Sequence, residues 1–143
     1  MYQKLTIVGN LGRDPELRYT PSGQAVCNFS VATSRKWTGS DGQPQEETIW
    51  FRVSTWGKMA ETCNQYLAKG RQVFIEGRLT VDKDSGGPRV WQDKDGKWRA
   101  SYEVTALEVK FLGNRGEGGG FEAGGAESFS GDSHAMPEEE IPF

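Results

Sequence analysis

The sequence predicts an all-β domain: a small five-stranded barrel with one helix between strands three and four, long hairpin arms and a disordered C-terminal tail. Three observations carry this. Five stretches favour strand-forming residues and set apolar against polar positions with a period of two, which puts successive side chains on opposite faces. One stretch between the third and fourth of them changes to helical spacing. At Gly113 the pattern stops. A Gly/Glu/Ser-rich segment follows, with too little apolar surface to offset the entropy of ordering it.

The first strand, Lys4 to Leu11, carries Gly9-Asn10 as a bend or bulge. Gly12 to Gly23 is dense in turn residues and reads mostly as a connection. The second strand runs from Ala25 to Trp37, with Cys27, Phe29, Val31 and Thr33 on a face that can enter the core. Arg35 and Trp37 continue that parity but are poor core residues. Either a bulge flips the face there or the strand outruns the body as an arm. A polar loop, Thr38 to Glu46, makes strands two and three a long hairpin.

The third strand, Thr48 to Trp56, offers Ile49, Phe51, Val53 and Thr55 to the core. From Gly57 to Lys69 the period changes: Met59, Ala60, Cys63, Tyr66 and Leu67 form one helical stripe, and Gly70 serves as its stop. The fourth strand, Gln72 to Val81, places Val73, Ile75, Gly77, Leu79 and Val81 together. A long polar excursion, Asp82 to Trp98, contains a turn at Asp95-Gly96. The last strand, Arg99 to Leu112, sets Leu107, Val109 and Phe111 on one face. Five strands with a helix between the third and fourth is the order of an OB-fold.

Composition narrows the function. A hydrophobic share of 35% and 19 glycines allow only a small core. The net charge of −3 hides an asymmetry: residues 1–112 hold 16 Lys+Arg against 13 Asp+Glu, and residues 113–143 hold one Arg against seven acids. A body of +3 with a tail of −6 is compatible with a polyanionic ligand although the whole chain is acidic. No apolar run is long enough to cross a membrane, and Met1-Tyr2-Gln3-Lys4 opens directly into a strand pattern instead of a signal peptide, so a cytoplasmic location is expected. Cys27 and Cys63 then read as free, buried thiols. The single histidine, His134, lies in the tail, and no zinc spacing, phosphate-binding loop or catalytic constellation is present. Asp82, Asp84 and Asp93 lack the helix–loop–helix setting of a calcium site. A non-enzymatic protein without metal or cofactor is expected.

The informative face is the other side of the third strand: Trp50, Arg52, Ser54 and Trp56. Soluble strands seldom give two tryptophans to water. Indoles beside a fixed positive charge suit nucleic-acid bases and phosphates. Arg52, Lys58, Lys69, Arg78 and Arg35 are candidate phosphate partners. The alternative is that these tryptophans pack against a partner subunit or under a loop.

Four segments together resemble the bacterial single-stranded DNA-binding proteins: Val8-Gly-Asn-Leu-Gly-Arg-Asp-Pro-Glu-Leu-Arg-Tyr19; Trp50-Phe-Arg-Val-Ser-Thr-Trp-Gly-Lys58; Tyr66-Leu-Ala-Lys-Gly70 with Val73-Phe-Ile-Glu-Gly77; and the acidic Ile-Pro-Phe end. The resemblance implies an OB-fold core, a homotetramer, and sequence-independent binding of single-stranded DNA during replication, recombination and repair. It implies base stacking on Trp37, Trp50, Trp56 and Trp91, and places Phe51 near a subunit interface. The chain departs from the family's pattern by an insertion at roughly Asp82 to Pro88, so nearby basic residues are not carried over. Trp98 stays open between loop packing and an accessory stack. An OB-fold RNA-binding module is the competing reading.

Three regions result: an OB-fold domain at 1–112, a linker at 113–137 and an acidic tip at 138–143. In the tip, Phe143 can fill an apolar pocket, Pro142 limits the entropy lost on docking, and Glu138, Glu139, Glu140 and the terminal carboxylate suit a basic rim, with Ile141 adding apolar contact. The resemblance implies that the tip recruits replication and repair proteins. The charge split adds a second expectation: the tail competes with DNA for the basic face at low salt.

Overall fold

The computed structural model of the chain describes residues 1–113. Their elements are β1 (Leu5–Leu11), β2 (Glu16–Tyr19), β3 (Ala25–Thr38), β4 (Pro44–Trp56), α1 (Lys58–Tyr66), β5 (Gln72–Thr80), β6 (Arg89–Gln92) and β7 (Trp98–Leu112). Five strands close a ring, because β1 pairs with β5 on one side and with β3 on the other, while β5 continues through β7 and β4 back to β3. All these pairings are antiparallel except β4 with β7. This closed five-stranded barrel with one helix is an OB-fold.

Alternation fills it. Cys27, Phe29 and Val31 of β3, Val53 of β4, Val73 and Ile75 of β5 and Val104 of β7 are buried together. Thr55, the one buried polar residue among the described residues, is satisfied by donating to the Cys27 carbonyl at 3.2 Å. Cys27 and Cys63 are free and buried, and burial pushes the Cys27 thiol up to about 11. The helix follows β4 directly and packs Ala60 and Cys63 inward. It ends at Tyr66, ahead of the expected Lys69: Leu67 turns extended and is itself buried, its N–H donating to the Cys63 carbonyl at 2.9 Å.

Several expectations need correction. The connection after Gly12 contains β2, which pairs with β3 and leans Leu17 on the core. Tyr19, the last residue of β2, is exposed. Leu107 does not join the inward set. The β5–β7 register slips between Glu76 and Gly77, leaving Leu107 as the extra residue of a bulge, open to solvent. Leu79 and Val81, at the outgoing end of the fourth strand, are likewise exposed.

The excursion after Val81 is the larger surprise. The inserted turn is tied by Asp82, whose Oδ1 accepts from the Asp84 and Ser85 N–H groups and the Ser85 hydroxyl at 3.0–3.1 Å. Those bonds hold its carboxyl below the usual range. The chain then resumes as β6, so β7 pairs with β5 along its C-terminal part and with β6 at its start.

Two arms result. β3 and β4 stay in unbroken register out to Thr38 and Pro44, which resolves the choice at Arg35 in favour of an arm. β6 and β7 form the second. Since β4 and β7 are parallel, their N-terminal ends point the same way, and both arms leave the same end of the barrel. The helix follows the other end of β4.

Candidate nucleic-acid interface

The outer face of β4 is built by contrast with its neighbour. Opposite Trp56, Ser54, Arg52 and Trp50 stand Val26, Asn28, Ser30 and Ala32 of β3. The side chains opposite Arg52 and Trp50 are small. Trp50 is 54% exposed and Trp56 43%. Six residues of strand put about 20 Å between the two indoles. Ser54 donates to Asn28 Oδ1 at 2.7 Å, which ties the strip between them.

Trp50 has a seat. Its ring lies over Gly12 so closely that a Cβ at that position would stand 2.6 Å from Cη2. Any side chain at position 12 would displace the indole from this seat, and the Gly12 N–H, donating to the Ser30 carbonyl at 3.1 Å, fixes the approach. The same loop delivers a residue that sequence reading left out of the site, Arg13. Its Nη2 reaches Ser30 Oγ at 3.4 Å, and with Arg52 it lines a cavity of about 120 Å³ beside Trp50, together with Asp14, Glu16, Asn28 and Ser30. Glu16 ionises below the usual carboxylate range, mainly through its bond to Arg18 and further through the fields of Arg13 and Arg52. Glu16 is paired with Arg18 and Asp14 accepts from the Lys69 N–H, so both carboxylates have partners, and the two guanidiniums and the Ser30 hydroxyl are the groups that can meet a phosphodiester here. Arg13 meets Ser30 and Arg52 only after β1 closes on β3, so no local pattern announces it.

The other basic residues divide. Lys58 opens α1 two residues after Trp56 and is exposed at the helix end of the strip. Arg78 pairs with Thr105, Thr105 with Ser54 and Ser54 with Asn28, so Arg78 lies on the same outer face two strands away, roughly 10 Å. Lys69 is exposed on the turn after the helix, where its N–H donates to Asp14 Oδ1 at 2.8 Å and ties that turn to the Arg13 loop. Arg35 is engaged within its own arm: its guanidinium lies 4.5 Å from the Trp37 ring centroid and 3.5 Å from Glu47.

Parity sorts the remaining aromatics. Arg52 pairs with Glu103, and alternation through Ser101 and Arg99 places Trp91, the partner of Arg99, on the Arg52 side. Trp37 carries the parity of Phe29 and Val31, hence the inner side of the ribbon, beyond the core. Trp50, Arg52, Trp56 and Trp91 therefore share one face, and Trp37 with Arg35 flanks it on the other side of the arm. Phe51 is half-buried against the core, with its ring 5.9 Å from that of Tyr102.

The model of the Single-strand binding protein family matches residues 2–112. The chain belongs to that family. It is 47% identical over 117 residues to a single-stranded DNA-binding protein of Neisseria meningitidis serogroup A, covering 82% of this chain and 63% of the relative. It is 46% identical over 118 residues to single-stranded DNA-binding protein 1 of Chlorobaculum tepidum, covering 82% and 68%. The single-stranded DNA binding protein from Thermus aquaticus, solved as a deletion mutant, matches with a TM-score of 0.61 and 31% identity over 79% of this chain and 51% of that one. The chain thus spans about two thirds of the Neisseria and Chlorobaculum relatives and about half of the Thermus deletion mutant.

Proposed function

We propose that this chain binds single-stranded DNA without sequence preference, and that it protects and organises the strand during replication, recombination and repair. The observation that carries the reading is the outer face of β4: two half-exposed indoles about 20 Å apart with Arg52 between them and the Arg13–Arg52 pocket alongside. Every base has a π-face, so a stack worth about 1–3 kcal/mol tolerates any sequence. Arg13, Arg52, Lys58 and Arg78 neutralise phosphates along the strip, with Lys69 at its margin. Trp91 extends it onto the second arm, and Trp37, braced by Arg35, onto the first. The names of the Neisseria, Chlorobaculum and Thermus relatives support single-stranded DNA as the ligand. The role is that of a scaffold, not an enzyme.

The assembly and partner roles belong to the same reading. Phe51, half-buried beside Tyr102, is the proposed subunit contact of a homotetramer. Residues 138–143, which lie outside the described residues, dock replication and repair proteins, and the acidic segment from 113 competes with DNA at low salt. A nucleoid-associated location follows from the proposed ligand; among the described residues no helix is long and apolar enough to cross a membrane. Titration with oligo-dT, a mixed-sequence single strand, its duplex and matched single-stranded RNA, at two salt concentrations, tests the core of this. Similar affinity for both single DNA strands, weaker for duplex and RNA and falling with salt, is the expected result; equal affinity for duplex would defeat it.

A further inference from the structure

Trp98 belongs to neither the core nor the outer face. It is 72% exposed, well above Trp37, Trp50, Trp56 and Trp91. Packing under a loop is therefore not its role, although a large amphipathic ring left this open normally has something to cover it. The turn that precedes it is tightly built. Asp93 Oδ1 accepts the N–H groups of Asp95 and Lys97 at 3.0 Å, and Arg99 Nε donates to Oδ2 at 2.8 Å. Gln92, which pairs with Trp98, donates its side-chain amide to the Gly96 carbonyl at 2.8 Å. The backbone under the indole is thus fixed before any ligand arrives, which lowers the cost of binding to it.

Its side of the arm is defined by register. Trp98 alternates with Ala100 and Tyr102; Tyr102 pairs with Phe51, and Phe51 with Val31, whose parity Trp37 continues. Both arms leave the same end of the barrel. Their inner sides therefore present Trp37 on one arm and Trp98 on the other, with Arg35 over the Trp37 ring and Lys94 and Lys97 on the turn before Trp98.

We infer that Trp98 is a further base-stacking platform for single-stranded DNA, on the inner side of the arms, reached by a strand long enough to continue past the outer face. This rests on the function proposed above and extends it. Arg99 takes up Asp93, which leaves Lys94 and Lys97 against Asp95 on the turn; that cationic balance and the shared parity with Trp37 favour a polyanionic strand as the occupant.

The test uses the full chain with Trp98→Ala and Trp98→Phe, titrated with a short oligo-dT of about 8 nucleotides and a long one of about 40. Trp98→Ala should weaken the long oligomer about fivefold or more, leave the short one nearly unchanged, and keep the DNA-free solution mass of the parent; Trp98→Phe should recover most of the loss. Unchanged affinity for the long oligomer overturns the inference. A changed solution mass without DNA also overturns it and assigns Trp98 to contact between copies. Trp56→Ala, run in parallel, separates the levels: if it too leaves both affinities intact, the underlying function fails, whereas a silent Trp98→Ala beside a weakened Trp56→Ala sinks this inference alone.

Discussion

The two halves of β3 obey one alternation and meet opposite fates. From Ala25 to Val31 every second residue is buried, because β1, β4 and α1 close over it; from Ser34 onward the same parity carries Arg35 and Trp37 into solvent. The strand and its pairing do not change at the boundary. What changes is the presence of a second layer, and the chemistry of the side chains follows it. The buried residues of β3 in the body are aliphatic, phenyl or thiol, whereas Arg35 and Trp37, which continue their parity on the arm, are cationic and aromatic. In the proposed reading the body supplies stability, and the arms, with the outer face, supply binding.

That division can be broken at either end. Ile75→Ala, deep in the body, should lower unfolding free energy by about 2–5 kcal/mol, measured by denaturant titration. Trp37→Ala on the arm should shift the same midpoint little while weakening oligo-dT binding by about fivefold or more. Comparable destabilisation by both would erase the distinction. Gly12→Ala sharpens it, since the residue serves the face and not the core. With no room for a Cβ under Trp50, affinity should fall about tenfold, the scale of one lost stack, while the thermal midpoint moves little. Arg13→Ala should lower the slope of log affinity against log salt by about one unit, with equal loss across sequences; an unchanged slope would remove the pocket from the DNA path.

The smallest effect concerns the second arm. Asp93 is held below the usual aspartate range first by its bond to Arg99 and then by the Lys97 N–H. Its depressed folded-state value means that the tie contributes fully above the unfolded aspartate value. The contribution fades as pH falls through the folded one. Protection of the Asp95 and Lys97 amides, taken relative to their intrinsic exchange rates, should therefore fall in acid before that of the barrel does, and Asp93→Asn should abolish that pH dependence.

Legibility in the sequence follows the same line. Strands with a buried face announced themselves, and the alternation of Thr48–Trp56 separated a core side with Val53 and Thr55 from an exposed side with Trp50, Arg52 and Trp56. β2 escaped because only Leu17 of its four residues leans inward, directly after a proline. β6 escaped because all four of its residues are exposed, so no apolar period marks it. The inward set of β7 was misread because a bulge at Leu107 shifts parity, and a bulge is a property of two strands. Arg13 needed barrel closure to reach Arg52. The parity of Trp37 was readable, but the absence of anything above it was not.

The central claim is that Trp50 and Trp56 on the outer face of β4 grip single-stranded DNA. Oligo-dT titration of Trp50→Ala/Trp56→Ala, followed by anisotropy of labelled DNA and accompanied by a thermal melt, tests it most directly. The account predicts at least about a 30-fold loss of affinity, the scale of two stacks, with a melting midpoint close to that of the parent. Unchanged affinity in a folded variant would contradict it.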